Sequence, residues 1–117
     1  MFKYLYFLVI HILALQLAAG ERDISYQWCI SNHGIPEVRT KYGTYADCIT
    51  NEYAIEVEFD YKWKESIGQA IHYAEATNKK PAIAIIKRKN SSVDYLDQIE
   101  SALSYLNLNI DTFIISE

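Results

Sequence analysis

Two strand-like segments separated by only two residues, Asn51 and Glu52, constrain the fold of this chain most strongly. The segments are residues 45–50 and Tyr53–Phe59, and both combine tyrosine and branched apolar residues with alternating polar positions. A two-residue connection between two such segments is typical of a tight antiparallel hairpin. The hairpin in turn fixes which side chains lie opposite one another and which face of the sheet each occupies.

This hairpin predicts a group of carboxylates on one sheet face. Its register places Asp47 opposite Glu56, and strand alternation adds Glu58 to the same face. The opposite face is apolar and consists of Ala46, Cys48, Ile55, Val57 and Phe59. Like charges that face each other across a ladder destabilise a sheet. Either a divalent cation such as Mg²⁺ or a lysine neutralises the group, or the acids extend into water from a solvated face.

The remaining pattern predicts an α/β domain with the order α-β-β-β-α-β-α-β. A mixed sheet with helices on both faces follows from strands that alternate with helices late in the chain. The predicted helices are residues 23–32, with Gly34 as the stop, 61–77, with Asp60 as the N-cap, and one that begins at Ser91 or Ser92 with the stripe Leu96, Ile99, Leu103 and Leu106. The other predicted strands are residues 35–41, 82–87 and 112–116.

The helix after the hairpin carries a polar sector. Helical spacing brings Lys62, Ser66, Gln69 and Tyr73 to one side. Gly68 inside the same helix costs about 1 kcal/mol relative to alanine, which predicts a close approach of backbone or ligand. The alternative is an ordinary amphipathic helix with a polar outer edge.

Residues 1–20 have the order of a secretory signal peptide. A basic start with Lys3 precedes an apolar run and a small-residue exit. The alternative is an uncleaved anchor, although His11 and Gln16 interrupt the run. Cleavage leaves residues 21–117 as a single domain, secreted or periplasmic, with no stable membrane association. Loss of Lys3 changes the net charge from −4 to −5, which excludes binding of nucleic acid through bulk positive charge.

The only two cysteines, Cys29 and Cys48, both lie in the exported part. Such a pair typically forms one disulfide, and closing a loop of about twenty residues contributes roughly 3 kcal/mol. Two buried free thiols are the alternative. The spacing of the cysteines and of His33 and His72 does not match a zinc site.

Together these residues resemble the PD-(D/E)XK nuclease superfamily, whose restriction-endonuclease-like core is a helix, a three-stranded meander, a helix and a further strand. Asp47 and Glu56 match the acids on its second and third strands, and Glu37 matches an additional upstream acid. The segment from Gln69 to Tyr73 is similar to the Q-x-x-x-Y motif of the RecB-like branch. The chain is also similar to small exported bacterial proteins.

The resemblance implies a phosphodiester hydrolase that depends on Mg²⁺ or Mn²⁺. Asp47, Glu56 and Glu58 would hold the metal, while Gln69 and Tyr73 would position a nucleic-acid substrate. Glu58 stands where the family has its motif lysine. Some members place that lysine on the neighbouring helix, so the catalytic role passes to Lys62.

A second hypothesis keeps the nuclease fold without catalysis. The missing motif lysine, the small size and the negative charge favour a secreted domain that binds a protein or a small ligand. The basic stretches 79–80 and 87–89 are either phosphate contacts or solvated loop ends.

Overall fold

The computed structural model describes residues 20–117 and shows an α/β domain with one five-stranded mixed sheet. This confirms the predicted class, whereas the predicted signal peptide lies outside the described residues apart from Gly20. The helices are α1 (Glu21–Ser31), α2 (Trp63–Thr77) and α3 (Tyr95–Tyr105). The strands are β1 (Ile35–Arg39), β2 (Tyr45–Ile49), β3 (Tyr53–Phe59), β4 (Lys80–Lys87) and β5 (Asp111–Ser116).

The strands follow one another across the sheet in chain order. β1, β2 and β3 form an antiparallel meander, and the pairs Cys48–Ile55 and Ile49–Ala54 have the predicted hairpin register. β4 lies parallel to β3, and β5 lies parallel to β4. Parallel neighbours need a crossover connection, and α2 and α3 supply the two crossovers.

The sheet separates two apolar layers. Beneath α1, Cys29 and Cys48 pack with the β3 and β4 residues Ile55, Val57, Ala82, Ala84 and Ile86. On the other side, α2 and α3 cover Ile83 and Ile85 with Trp63, Ala70, Ile99 and Leu103. Because adjacent residues of β4 alternate between these layers, all five residues from Ala82 to Ile86 are buried.

The predicted position of Ala46 is wrong. It does not share the face of Cys48 but packs on the α2 side with Val38, Ile49, Ala54, Tyr73 and Ala74. The alternation breaks around Asp47, whose carboxylate Oδ2 accepts the Val57 backbone N–H at 2.8 Å. On β1, Glu37 has a positive φ of 53° between the pairs that flank Asp47. A non-glycine residue in this conformation is uncommon, and it changes the direction of the strand locally.

The predicted disulfide between Cys29 and Cys48 is present and links α1 to β2. It also explains Gly34, because a Cβ at that position would lie within 3 Å of both sulfur atoms. The helix stop itself differs from the prediction. His33, with φ 60°, is the left-handed residue, and Gly34 donates its N–H to the Cys29 carbonyl at 2.9 Å.

Two other helix starts differ from the sequence-based expectation. Asp60 begins a short 3₁₀ turn, Asp60–Lys62, and α2 follows it. Asp94 rather than Ser91 or Ser92 caps α3, since its carboxylate accepts the Asp97 N–H at 3.3 Å. Within residues 20–117, no helix has the length and apolar character needed to cross a membrane.

Candidate carboxylate site

Four acidic side chains from three elements converge at one end of the sheet. β2 supplies Asp47, β3 supplies Glu56 and Glu58, and the first turn of α1 supplies Glu21. Glu56 and Glu58 are 3% and 6% exposed, so both lie inside the fold. We call these four residues the carboxylate site.

Asp47 and Glu56 form a hydrogen-bonded carboxyl pair. Burial, followed by the charge of Asp47 and the hydrogen bond with it, raises the pKa of Glu56 to about 10. Burial also raises the pKa of Asp47, although the hydrogen bonds from Glu56 and from the Val57 N–H oppose this shift. At neutral pH Glu56 therefore carries a proton, which its hydrogen bond directs towards Asp47.

One oxygen of this pair is not satisfied. Glu56 Oε2 is buried and has no hydrogen-bond partner among the described residues. Buried polar atoms are nearly always paired, so an unpaired one requires an explanation. On α2, the buried Ser66 Oγ also has no hydrogen-bond partner among the described residues.

Glu21 is the member of the site that the sequence did not reveal. Burial and then a hydrogen bond with Glu58 raise its pKa to about 7, while Lys62 lowers it. The only sequence feature of Glu21 is its place in the first turn of a predicted helix. Acids are common there because they interact favourably with the helix dipole. Its approach to Glu58 depends on how α1 docks on the sheet, and no local pattern encodes that placement.

Glu37 lies at the rim and not among the buried carboxylates. Its carboxylate accepts from Arg22 Nε at 2.7 Å and from a terminal amino group of Arg22 at 3.1 Å. These hydrogen bonds lower the pKa of Glu37. A cleft of about 370 Å³ opens beside it and is lined by Glu21, Arg22, Ser25, Tyr26, Pro36, Glu37 and Asp47. The carboxylate site is therefore reached from solvent between α1 and the meander.

The predicted helix residues border the site from the other side. Tyr73 is buried, and its hydroxyl donates to Gln69 Oε1 at 3.2 Å. Burial, then the charges of Glu56 and Asp47, raise the pKa of Tyr73 to about 12. Lys62 is exposed, but its charge acts on Glu21. The structure thus brings the predicted acids, Lys62 and Tyr73 into one neighbourhood.

The predicted close approach of backbone to Gly68 is wrong. A Cβ at this position would have no heavy atom within 4 Å, and the residue is exposed. Gly68 therefore lies on the solvent side of α2 and takes no part in the site.

The carboxylate site provides oxygen atoms that could act as ligands of a metal ion. Carboxylate oxygens are the ligands that Mg²⁺ and Mn²⁺ prefer, and the unpaired Glu56 Oε2 is an available donor. In the described part of the chain, however, no three His, Cys, Asp or Glu side chains are placed so that they could hold an ion together. The chemistry of the donors fits a hard cation, while their present arrangement holds a proton.

Comparison with family models, curated proteins and solved structures finds no match for this chain. The resemblance to PD-(D/E)XK nucleases therefore depends on the motifs and their positions alone.

Proposed function

We propose that this chain is a nuclease-like phosphodiester hydrolase that uses Mg²⁺ or Mn²⁺ at the carboxylate site. The observation that carries the proposal is the buried, unpaired Glu56 Oε2 beside Asp47. Burying a carboxylate away from water costs free energy unless the carboxylate is paired or binds a ligand. A cation that replaces the shared proton would satisfy both carboxylates.

The ligands of the cation would be Asp47, Glu56 and Glu58. A cation bound there would lower the pKa of a coordinated water and polarise the scissile phosphate. Because Glu56 holds a proton at neutral pH, loading the site must release that proton. Cation affinity should consequently rise with pH.

Four further side chains have roles that their positions support. Lys62, next to Glu21 at the open side of the site, would stabilise the charge that develops on the phosphate. Gln69 and Tyr73 form a hydrogen-bonded pair one helical turn apart, and they would position the substrate. Glu37 would influence the site from its rim, through its charge on Asp47.

The topology gives independent support. A helix, a three-stranded meander, a helix and a further strand are the elements that the resemblance implies, and the chain has them in this order. The matched acids lie on the second and third strands of this meander. The disulfide further supports a secreted or periplasmic location, because such bonds persist in oxidising compartments.

A second candidate is a non-catalytic domain that binds a protein or a small ligand. Two observations favour it. Glu58 replaces the motif lysine, and within residues 20–117 no three His, Cys, Asp or Glu side chains are placed to hold one ion. In this case the carboxylate site would keep its proton, and the neighbouring cleft would be the binding surface.

Calorimetry with Mn²⁺ in two buffers of different ionisation enthalpy separates the candidates. The hydrolase proposal expects binding with proton release in the wild type, no binding in Asp47→Ala, and unchanged binding in the exposed control Glu100→Gln. A nuclease assay with Mn²⁺ on the same three proteins then tests catalysis. Binding without cleavage would refute the hydrolase and leave a metal site that does not catalyse. The absence of binding would refute the metal site and favour the second candidate.

A further inference from the structure

Two cations lie against one aromatic ring just beyond the carboxylate site. The Arg88 guanidinium carbon is 4.3 Å from the centre of the Tyr61 ring, and Lys62 Nζ is 5.7 Å from it. Phe59 stacks on the same ring with centres 5.8 Å apart and planes inclined by 20°. Both cations therefore lie within 6 Å of the same ring.

Arg88 is anchored more firmly than a surface arginine. Its Nε donates to Asp60 Oδ1 at 3.0 Å, and the Asp60 side chain is only 2% exposed. Asp60 Oδ1 also accepts the Tyr61 N–H at 2.8 Å. This contact occupies Nε and leaves the terminal amino groups of a side chain that is 40% exposed for other acceptors. A guanidinium held in this way is preorganised for an oxyanion.

The position of Arg88 follows from the strand pairing. Asp60 directly follows β3 and Arg88 directly follows β4, and these two strands are parallel. The two residues therefore lie side by side at the carboxyl ends of adjacent parallel strands. Glu58 lies two residues before Asp60, so the cations adjoin the carboxylate site.

We infer that Arg88 and Lys62 form a phosphate subsite that holds the backbone of a single nucleic-acid strand next to the carboxylate site. This inference rests on the proposed function, and it names the residues that bind the substrate. A single strand suits a chain of net charge −4, because its charge density is lower than that of a duplex. Contacts from these two cations to phosphates carry no sequence preference.

The test measures binding of a short labelled oligothymidine by fluorescence anisotropy, in EDTA and over a range of salt concentrations, with the chain expressed from its full sequence. For a single strand, the logarithm of the affinity falls with the logarithm of salt by about 0.7 for each phosphate contact. We expect Lys62→Gln to lower affinity several-fold and to reduce the slope by about 0.7. Lys64→Gln removes the same charge from the same region and should behave as the wild type.

Removal of Arg88 alone would leave the buried Asp60 carboxylate without its cation. The second variant is therefore the double substitution Asp60→Asn with Arg88→Gln. We expect this pair to reduce the slope by a further ~0.7, with folding verified by thermal melting. The inference is overturned if the wild type does not bind, if Lys64→Gln loses as much as Lys62→Gln, or if the paired variant keeps full affinity. Tighter binding of a duplex than of the single strand would also overturn it. So would a protein that binds inorganic phosphate but does not bind the oligonucleotide. EDTA removes cations from this assay, so failure of the metal site alone leaves these results unchanged.

Discussion

Replacing Glu56 by glutamine should stabilise the protein at neutral pH, and the gain should grow with pH. Glu56 has a folded-state pKa of about 10 against an ordinary value of 4.5. The folded state therefore binds the proton more tightly than the unfolded state does. The stability that this provides is complete below pH 4.5 and is lost progressively as pH rises towards 10.

The magnitude follows from the same shift. Between pH 4.5 and pH 7 the loss reaches at most roughly 3 kcal/mol, at about 1.36 kcal/mol per pH unit. Glutamine mimics the protonated acid and donates to Asp47 without this loss. Because the neighbouring carboxylates titrate together with Glu56, we expect a gain of about 1–3 kcal/mol at pH 7 and almost none at pH 4.

Thermal unfolding across this pH range is the appropriate assay. For a domain of this size each kcal/mol corresponds to a shift in Tm of roughly 4–8 °C. Glu100→Gln, which removes an exposed acid from α3, should change Tm little at any pH. A Glu56→Gln gain that is absent at pH 7, or that is the same at pH 4, would show that Glu56 is ionised in the folded protein and would refute the proton-sharing argument.

Three further predictions follow from named contacts. Gly34→Ala should destabilise the oxidised protein by about 1–3 kcal/mol, because the alanine Cβ would collide with both disulfide sulfurs. Urea unfolding measures this loss of stability, which should become smaller after reduction of the disulfide. Gly68→Ala should stabilise by about 0.5–1 kcal/mol, since its Cβ meets open space; a loss would mean that α2 is covered there. In Mn²⁺ calorimetry, Glu21→Gln should weaken binding more than Glu37→Gln, because Glu21 contacts Glu58 whereas Glu37 is paired with Arg22; equal effects would contradict the arrangement of the site.

Local sequence determined the part of the hairpin next to its turn, and the register there was predicted correctly. A two-residue turn fixes register through backbone geometry alone, so the pair Cys48–Ile55 and the meeting of Asp47 with Glu56 could be anticipated. The predicted bounds of β3 are also those of the structure. These features depend on contacts between residues close in the chain.

Features that depend on distant contacts escaped prediction. Glu21 reaches Glu58 only after α1 docks across the meander. Ala46 lies on the α2 side, next to a left-handed Glu37 on β1, a conformation that glutamate seldom takes and that no propensity signals. The capping role of Asp94 was missed because two serines nearby are equally good caps.

The bond between Cys29 and Cys48 makes the acidic neighbourhood dependent on the redox state of the compartment. α1 buries Ser25 and Cys29 and packs the partly buried Ile24 and Trp28 against the sheet, so reduction removes the one covalent link but leaves these contacts. Detachment of α1 would carry Glu21 away from Glu58 and admit water to acids that are now shielded. If reduction detached the helix, the acids would ionise at ordinary pH values, and the proton-sharing centre would form only after oxidation.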